Sequence, residues 1–253
     1  MWGFKQDVAV AGRARSGIRV SMQSVDEGPY RLRPANDAPW ANAYGYNRRD
    51  GIWQKLGDAM TALLRLVVPV LVLLGCISGV YLYRDLPAPL DAVYMPWVTA
   101  ADLFVPLAFF CIFMTNRRYG PGYAFSQVVA TAAVIAAVSL FGRDTVSTTL
   151  AAEPVPVQVA AAFGAAFFAA SSVSIVLFDS TRGAYWFTAP LFGFIGAAIV
   201  FPFAYFPFAG TEAAWLTHAL EYAGLLAGEG VLLLIPYYFL RGILPPMSGF
   251  GGY

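Results

Sequence analysis

The chain has 253 residues, of which 58% are hydrophobic and 12% are charged. Soluble proteins average about 25% charged residues, so this composition excludes an ordinary soluble domain and indicates a chain whose solvent is a lipid bilayer. The net charge of +1 is uninformative by itself. We expect an integral membrane protein with membrane lipids among its partners and no nucleic-acid partner.

Residues 1–49 form a polar extension that nevertheless carries large aromatic side chains. Disordered tails are usually poor in aromatic residues, so we interpret the extension as a segment that adheres either to another subunit or to the chain's own loops. Residues 1–24 are basic enough that an organellar presequence is a further alternative. The candidate partner-binding residues are Trp2, Phe4, Tyr30, Trp40, Tyr44 and Tyr46.

Residues 50–60 predict a short amphipathic helix that enters the membrane along its surface. Asp50 is a suitable N-cap, and the apolar residues of the segment share one helix face. Those apolar residues are Ile52, Trp53, Leu56 and Met60.

Six long apolar stretches follow within residues 61–243, ahead of a tail at 244–253. Each is long enough for a helix rising about 1.5 Å per residue to cross a hydrocarbon layer of roughly 30 Å. The predicted fold is therefore an all-α bundle of six transmembrane helices. The predicted spans are 61–83, 92–114, 120–141, 155–178, 185–209 and 213–240.

The positive charges around these spans are divided unequally between the two sides. Arg84 and Arg143 fall on one side, and the other 14 of the 16 Lys and Arg residues fall on the side of the N-terminal extension. Basic loops resist translocation, so both termini are predicted on the cytoplasmic side, or on the matrix or stromal side of an organelle. The expected location is a bacterial inner membrane or an organellar membrane.

Small and bulky residues suggest which spans pack closely. Small residues at four-residue spacing favour helix association in lipid, which predicts that the fourth and sixth spans form the interior. The fifth span is rich in phenylalanine and proline, and we expect it to be a kinked, outward-facing helix that contacts partners. The small residues concerned are Ala160, Ala161, Gly164, Ala165, Ala169, Ser172, Gly224 and Gly228.

Polar residues inside the spans are the candidate functional residues, because a charge in the bilayer is costly enough to require a purpose. Asp102, Gln127, His218, Glu221 and Glu229 are the candidate transport residues. The alternative is that each glutamate is neutral and hydrogen-bonded inside the bundle or lies near a helix end.

Cofactor and enzyme chemistry find little support in the sequence. A single histidine, His218, argues against multi-histidine metal or haem sites, although it could ligate one pigment or haem from one side. Cys76 and Cys111 are interpreted as small buried side chains. No phosphate-loop, zinc or dinucleotide motif is present, so we expect no enzyme activity and no cofactor beyond bound lipid.

Short motifs in the later part of the chain resemble the VUT family of vitamin-uptake-like membrane proteins, which includes queuosine precursor transporters. The anchors cover residues 92–243 in order and approximate spacing. They are Pro106-Leu107-Ala108-Phe109, Thr115-Asn116-Arg117-Arg118-Tyr119-Gly120-Pro121, Val176-Leu177-Phe178-Asp179, Trp186, Pro190-Leu191, Gly193 and Ile235-Pro236-Tyr237. The resemblance implies a six-helix importer of a small nucleobase-like molecule, with anchors that mark turns.

Three neighbourhoods depart from that family pattern. Where the resemblance implies acidic or amide groups, this chain has residues 111–113 (Cys-Ile-Phe), 171–174 (Ser-Ser-Val-Ser) and 196–198 (Gly-Ala-Ala). A nucleobase in a dry pocket needs hydrogen-bond partners, so the departures predict that transport has been lost. We therefore expect a non-enzymatic accessory or scaffold subunit of a larger membrane complex, the alternative being an importer of a nucleobase-like or vitamin-like solute.

Overall fold

The computed structural model describes residues 52–88, 98–141, 155–183, 185–210 and 214–244. The predicted partner-binding aromatic residues of the extension, together with Asp50, Arg143 and the tail from 245 onward, lie outside these ranges. The chain divides into a unit of residues 1–57, whose described part is the helical segment 52–57, and a unit of residues 58–253, which holds the helical bundle.

Within the described ranges, six helices are long and apolar enough to cross a membrane, which confirms the predicted number of spans. A 3₁₀ turn, Ala100–Leu103, leads directly into the second of them. The helices are α1 Ile52–Leu82, α2 Phe104–Tyr119, α3 Pro121–Phe141, α4 Val157–Ser180, α5 Thr188–Ala209 and α6 Trp215–Ile243.

Several predicted boundaries require correction. The helix expected at 50–60 continues without a break into the first span as part of α1. The second span begins at Ala100 rather than at residue 92, because Thr99 is still extended and forms an isolated antiparallel bridge with Pro87. The second span was expected to end at residue 114, but its helix continues to Tyr119, and the chain breaks only at Gly120, whose φ of 88° favours glycine.

Helix α2 lies at the centre of the bundle and contacts α3, α4, α5 and α6. Its aromatic side chains fill the space between these helices: the Phe113 ring lies 5.3 Å from that of Phe178 and 4.9 Å from that of Phe194, measured between centroids. Phe109 packs in the same way against Phe167 and Phe201. The interior thus contains two groups of packed aromatic rings, one around Phe113 and one around Phe109.

Helix α5 lies between α4 and α6 and packs extensively against both, so the prediction that it faces outward is wrong. Phe194 and Phe201 are buried, as are Pro190 and Pro202. One stripe of α5 remains exposed, because a helix flanked on two sides still presents a third face. That stripe consists of Phe192, Ile195, Ile199 and Phe203.

The predicted small-residue contacts are also wrong. Gly164, Gly224 and Gly228 have no neighbouring atom where a side chain would begin, and Ala160, Ala161 and Ala165 are exposed. Close approach occurs at other glycines that face aromatic rings. A Cβ on Gly193 would lie 2.7 Å from the Phe113 ring, and one on Gly230 would lie 2.7 Å from Phe194.

Helix α1 lies at the periphery and touches its neighbours at isolated points. The Tyr83 ring, just after α1, stacks on Phe104 with centroids 5.4 Å apart. The Sγ atoms of Cys76 and Cys111 lie 3.9 Å apart across α1 and α2. The two cysteines are therefore not separate buried fillers, since they form a half-buried pair between helices.

Candidate functional site

One end of the bundle gathers arginine side chains, and we call it the basic end. It is the end at which α2, α4 and α6 finish, and it carries Arg117, Arg118, Arg182 and Arg241. Guanidinium groups at a helix C-terminus interact favourably with the helix dipole. These arginines also connect helices that are distant in sequence.

Arg117 is 6% exposed and bonds to neutral acceptors on α6 and just beyond it. Its Nε donates to the carbonyl oxygen of Leu244 at 3.2 Å, and its Nη1 donates to the Tyr237 hydroxyl at 3.5 Å. The guanidinium also lies 5.8 Å from the centroid of the Tyr237 ring. Arg117 thereby fastens the end of α2 to the end of α6.

Arg182 fastens the segment after α4 to α2. Its Nη2 donates to both the carbonyl oxygen and the side-chain oxygen of Asn116, at 2.8 and 2.9 Å. Its Nε lies 2.8 Å from Asp179 Oδ1, a contact whose angles make it an ion pair rather than an aligned hydrogen bond. Burial lowers the pKa of the Arg182 guanidinium, and the Asp179 carboxylate opposes that shift.

Asn116 completes this junction from α2. It is fully buried, and its Nδ2 donates to the carbonyl oxygen of Ile175 on α4 at 3.4 Å. Because Arg182 supplies the donors to its oxygen atoms, Asn116 is satisfied from both directions. A buried amide in this position specifies the register between α2 and α4.

Arg241 is held by aromatic rings. Its guanidinium lies 5.3 Å from the Trp186 ring centroid and 4.6 Å from that of Tyr238, distances suited to cation–π attraction. Arg117, Arg182 and Arg241 all lie within electrostatic range of the Tyr237 hydroxyl. Several anchors of the resemblance, Asn116, Arg117, Asp179, Trp186 and Tyr237, therefore belong to one network with Arg182 and Arg241. Sequence reasoning quoted those anchors but missed the network.

The opposite end, where α2 and α6 begin, holds a cluster of acidic and phenolic groups. Asp102 Oδ2 accepts hydrogen bonds from the backbone N–H of Thr99 at 2.7 Å and from its hydroxyl at 3.0 Å. This is a capping box that starts the 3₁₀ turn before α2. The Asp102 carboxylate therefore has a local structural role, which is to cap the start of this helical segment.

Asp102 also reaches α6 and α5. The buried Tyr222 hydroxyl is hydrogen-bonded to the Asp102 carboxylate, and Glu229 and Tyr205 both lie within electrostatic range of that carboxylate. Asp102 and Glu229, two of the predicted site residues, are thus near enough to affect each other electrostatically, with Glu229 in the middle of α6. The two tyrosines were missed, and their positions among aromatic residues carried no signal that would distinguish them from core residues.

The other predicted polar residues are Gln127 on α3 and His218 and Glu221 on α6. Gln127 is fully buried on α3, and its Nε2 donates to the carbonyl oxygen of Pro69 on α1 at 2.8 Å, so it serves helix packing. His218 is half-buried beside the Phe206 ring, with centroids 6.2 Å apart. Glu221 is also half-buried, two helical turns before Glu229.

The three neighbourhoods that depart from the family pattern lie largely inside the core. Ile112, Phe113, Ser171, Ser174 and Ala197 are completely buried. The Ser174 hydroxyl donates a hydrogen bond to the carbonyl oxygen of Ala170 in its own helix. Packed apolar side chains occupy two of the places where the resemblance implies polar contacts with a substrate, and serines occupy the third, where the Ser171 hydroxyl has no partner among the described residues.

In the part of the chain that the structure describes, no three His, Cys, Asp or Glu side chains come close enough together to hold a metal ion. No protein-family model matches the chain, and no curated protein or solved structure is significantly similar to it.

Proposed function

We propose that this chain is a non-enzymatic accessory or scaffold subunit of a larger membrane complex, built on a six-helix bundle of the vitamin-uptake type that no longer transports. One observation carries the proposal: the middle of the bundle is closed. Phe113 lies against Gly193, Phe178 and Phe194, and the neighbouring Ile112 and Ala197 are fully buried. A solute path through α2, α4 and α5 would have to displace these packed side chains.

The polar groups of the interior support the same proposal. Asn116, Arg117 and the amide nitrogen of Gln127 hydrogen-bond to the backbone or side chains of neighbouring helices, whereas the Gln127 amide oxygen has no partner among the described residues. Such bonds hold helices together in lipid and leave fewer donors and acceptors for a solute. A rigid bundle of this kind is suited to being a structural subunit.

Association with other subunits would use the N-terminal extension and the outward surfaces of the bundle. The aromatic residues of the extension are of the type that anchors protein interfaces. The exposed stripe of α5 and the exposed side of α1 add apolar surface that can face lipid or another subunit. In this proposal both termini lie on the cytoplasmic side of a bacterial inner membrane, or on the matrix or stromal side of an organellar membrane.

A truncation separates the scaffold from an importer. Deleting residues 1–46 should leave insertion unchanged and abolish co-purification with the complex in mild detergent. Correct insertion is verified by a C-terminal tag that is accessible only from the cytoplasmic side. Complex formation that persists without the extension would contradict the role assigned to it.

An importer of a nucleobase-like or vitamin-like solute is the second candidate, and the cluster of Asp102, Tyr222, Glu229 and Tyr205 favours it. Carboxylates and phenols on facing helices are groups that bind polar solutes or exchange protons. Uptake of a queuosine precursor that Glu229→Gln abolishes and Glu221→Gln reduces would establish transport. If the parent shows no uptake and deleting residues 1–46 abolishes complex formation, the results support the scaffold role.

A further inference from the structure

In the part of the basic end that the structure describes, four arginines accompany one carboxylate that forms an ion pair, Asp179. Arg117 donates to a carbonyl and a hydroxyl, and Arg241 contacts two aromatic rings. Among the described residues, neither of these two arginines forms an ion pair with a carboxylate, whereas Arg182 pairs with Asp179. A guanidinium as buried as Arg117 is costly without a compensating anion.

The three guanidinium groups come from α2, the segment after α4, and α6, and their contacts are neighbouring ones. Arg182 donates to Asn116, the residue before Arg117, while Arg117 and Arg241 lie over consecutive rings of α6, 5.8 Å from the Tyr237 centroid and 4.6 Å from that of Tyr238. Arg241 is oriented by the Trp186 and Tyr238 rings. A guanidinium stacked on rings keeps its N–H edge available, and that planar edge matches the oxygen atoms of a phosphate.

We propose that the basic end binds a phosphate group, in the form of the headgroup of an anionic phospholipid or of a free phosphate of the same chemistry. Basic pockets between transmembrane helices are sites where anionic headgroups bind. The exposed Tyr238 ring, on which Arg241 stacks, provides apolar surface beside the headgroup. This inference goes beyond the proposed function, because it holds for a scaffold and for an importer alike.

Arg84 offers a matched control at the opposite end. Its guanidinium also lies over a ring, 5.2 Å from the Tyr81 centroid, but it pairs with Asp85 at 3.2 Å. Stacking is therefore common to Arg84 and Arg241, while an accompanying carboxylate distinguishes them. Only the arginine without a carboxylate should respond to an added anion.

The experiment uses the full chain in detergent, titrated with phosphatidylglycerol, phosphatidylcholine or inorganic phosphate, with bound lipid counted by native mass spectrometry and Tm recorded in parallel. Phosphatidylglycerol should bind and raise Tm, and phosphatidylcholine should do neither. Arg241→Gln should weaken phosphatidylglycerol binding about fivefold, as expected for one arginine near a headgroup. Arg84→Gln should bind like the parent.

The phosphate arm identifies the source of the ligand. A Tm increase from inorganic phosphate equal to that from phosphatidylglycerol would indicate a free phosphate, and a much smaller increase would indicate a lipid headgroup. Equal binding of the anionic and zwitterionic lipids, or unchanged phosphatidylglycerol binding in Arg241→Gln, would overturn the proposal.

Discussion

Helices α1 and α2 lie side by side, yet their surfaces face opposite surroundings. In the most apolar stretch of α1 only 6% of the residues are buried inside the protein, whereas in the less apolar α2 the share is 61%. In a soluble bundle the more apolar helix would be expected inside. Here the lipid accepts the apolar side chains of α1, while α2 carries the polar residues that only other helices can satisfy.

The polar end of α2 illustrates the reason. Thr115, Asn116 and Arg117 are all buried, and Asn116 and Arg117 hydrogen-bond to groups on or next to α4 and α6. Each of these groups would be costly against hydrocarbon tails. The least hydrophobic residues of α2 thus determine that it lies inside the bundle. Most of the surface of α1 is apolar and can face lipid.

The largest expected effect comes from truncating the centre of α2. Phe113→Ala removes a ring that is 0% exposed and contacts Phe178 and Phe194, so the variant should lose roughly 3 kcal/mol of unfolding free energy. Val68→Ala on α1, where the side chain is 65% exposed, should lose less than about 0.5 kcal/mol. Reversible unfolding in mixed micelles measures both. Equal losses would show that α1 and α2 are packed alike.

An intermediate effect is expected from added bulk on α6. Gly230→Leu forces a side chain against Phe194 and should cost about 1–3 kcal/mol, because a packed interior resists extra volume. Gly228→Leu, two residues earlier, points into open space and should melt within about 0.5 kcal/mol of the parent. Thermal melts of the two variants compare an inward and an outward position on one helix. The reverse order of stability would mean that the faces of α6 are exchanged.

The smallest effect should come from loosening α1. Gln127→Leu removes the hydrogen bond to Pro69, but it also removes a buried amide oxygen that has no partner among the described residues. These two changes oppose each other, so unfolding free energy should shift by less than about 0.6 kcal/mol. Mobility of α1 is the sensitive readout, through oxidative cross-linking of Cys76 to Cys111 by an added oxidant.

Cross-linking should proceed readily in the parent, because the two sulfur atoms lie 3.9 Å apart, and more slowly in Gln127→Leu. Ser126→Ala is the control, since the Ser126 hydroxyl bonds within its own helix to the carbonyl of Gly122. A parent that does not cross-link would show that α1 does not lie against α2 at this depth.

The candidate sites were only partly predictable. Asp102 and Glu229 were found because a carboxylate in an apolar stretch is conspicuous by itself. Their neighbours Tyr222 and Tyr205 were not found, because a tyrosine in an aromatic span looks like any core residue until its hydroxyl partner is known. Gln127 was conspicuous for the same reason as Asp102, but its partner is a backbone carbonyl, which no sequence pattern displays.

The sequence by itself determined the number of spans and their approximate limits. A helix that crosses lipid must satisfy its own backbone and needs about 20 apolar residues in a row, and both requirements are local. The sequence predicted helix ends less well, for example at Ala100 and Tyr119, because a cap or a single glycine decides where a helix begins or ends.

Only the tertiary structure decided which face of each helix lies inside. A leucine against lipid and a leucine against another helix are chemically alike, so apolar periodicity carries little information in a bundle that is apolar all round. The exposed Gly224 and Gly228, the central α5 and the bond from Arg182 to Asn116, 66 residues away, all depended on which helices meet. That choice is made by the packing of the whole bundle, because each polar contact needs a partner from a distant part of the chain.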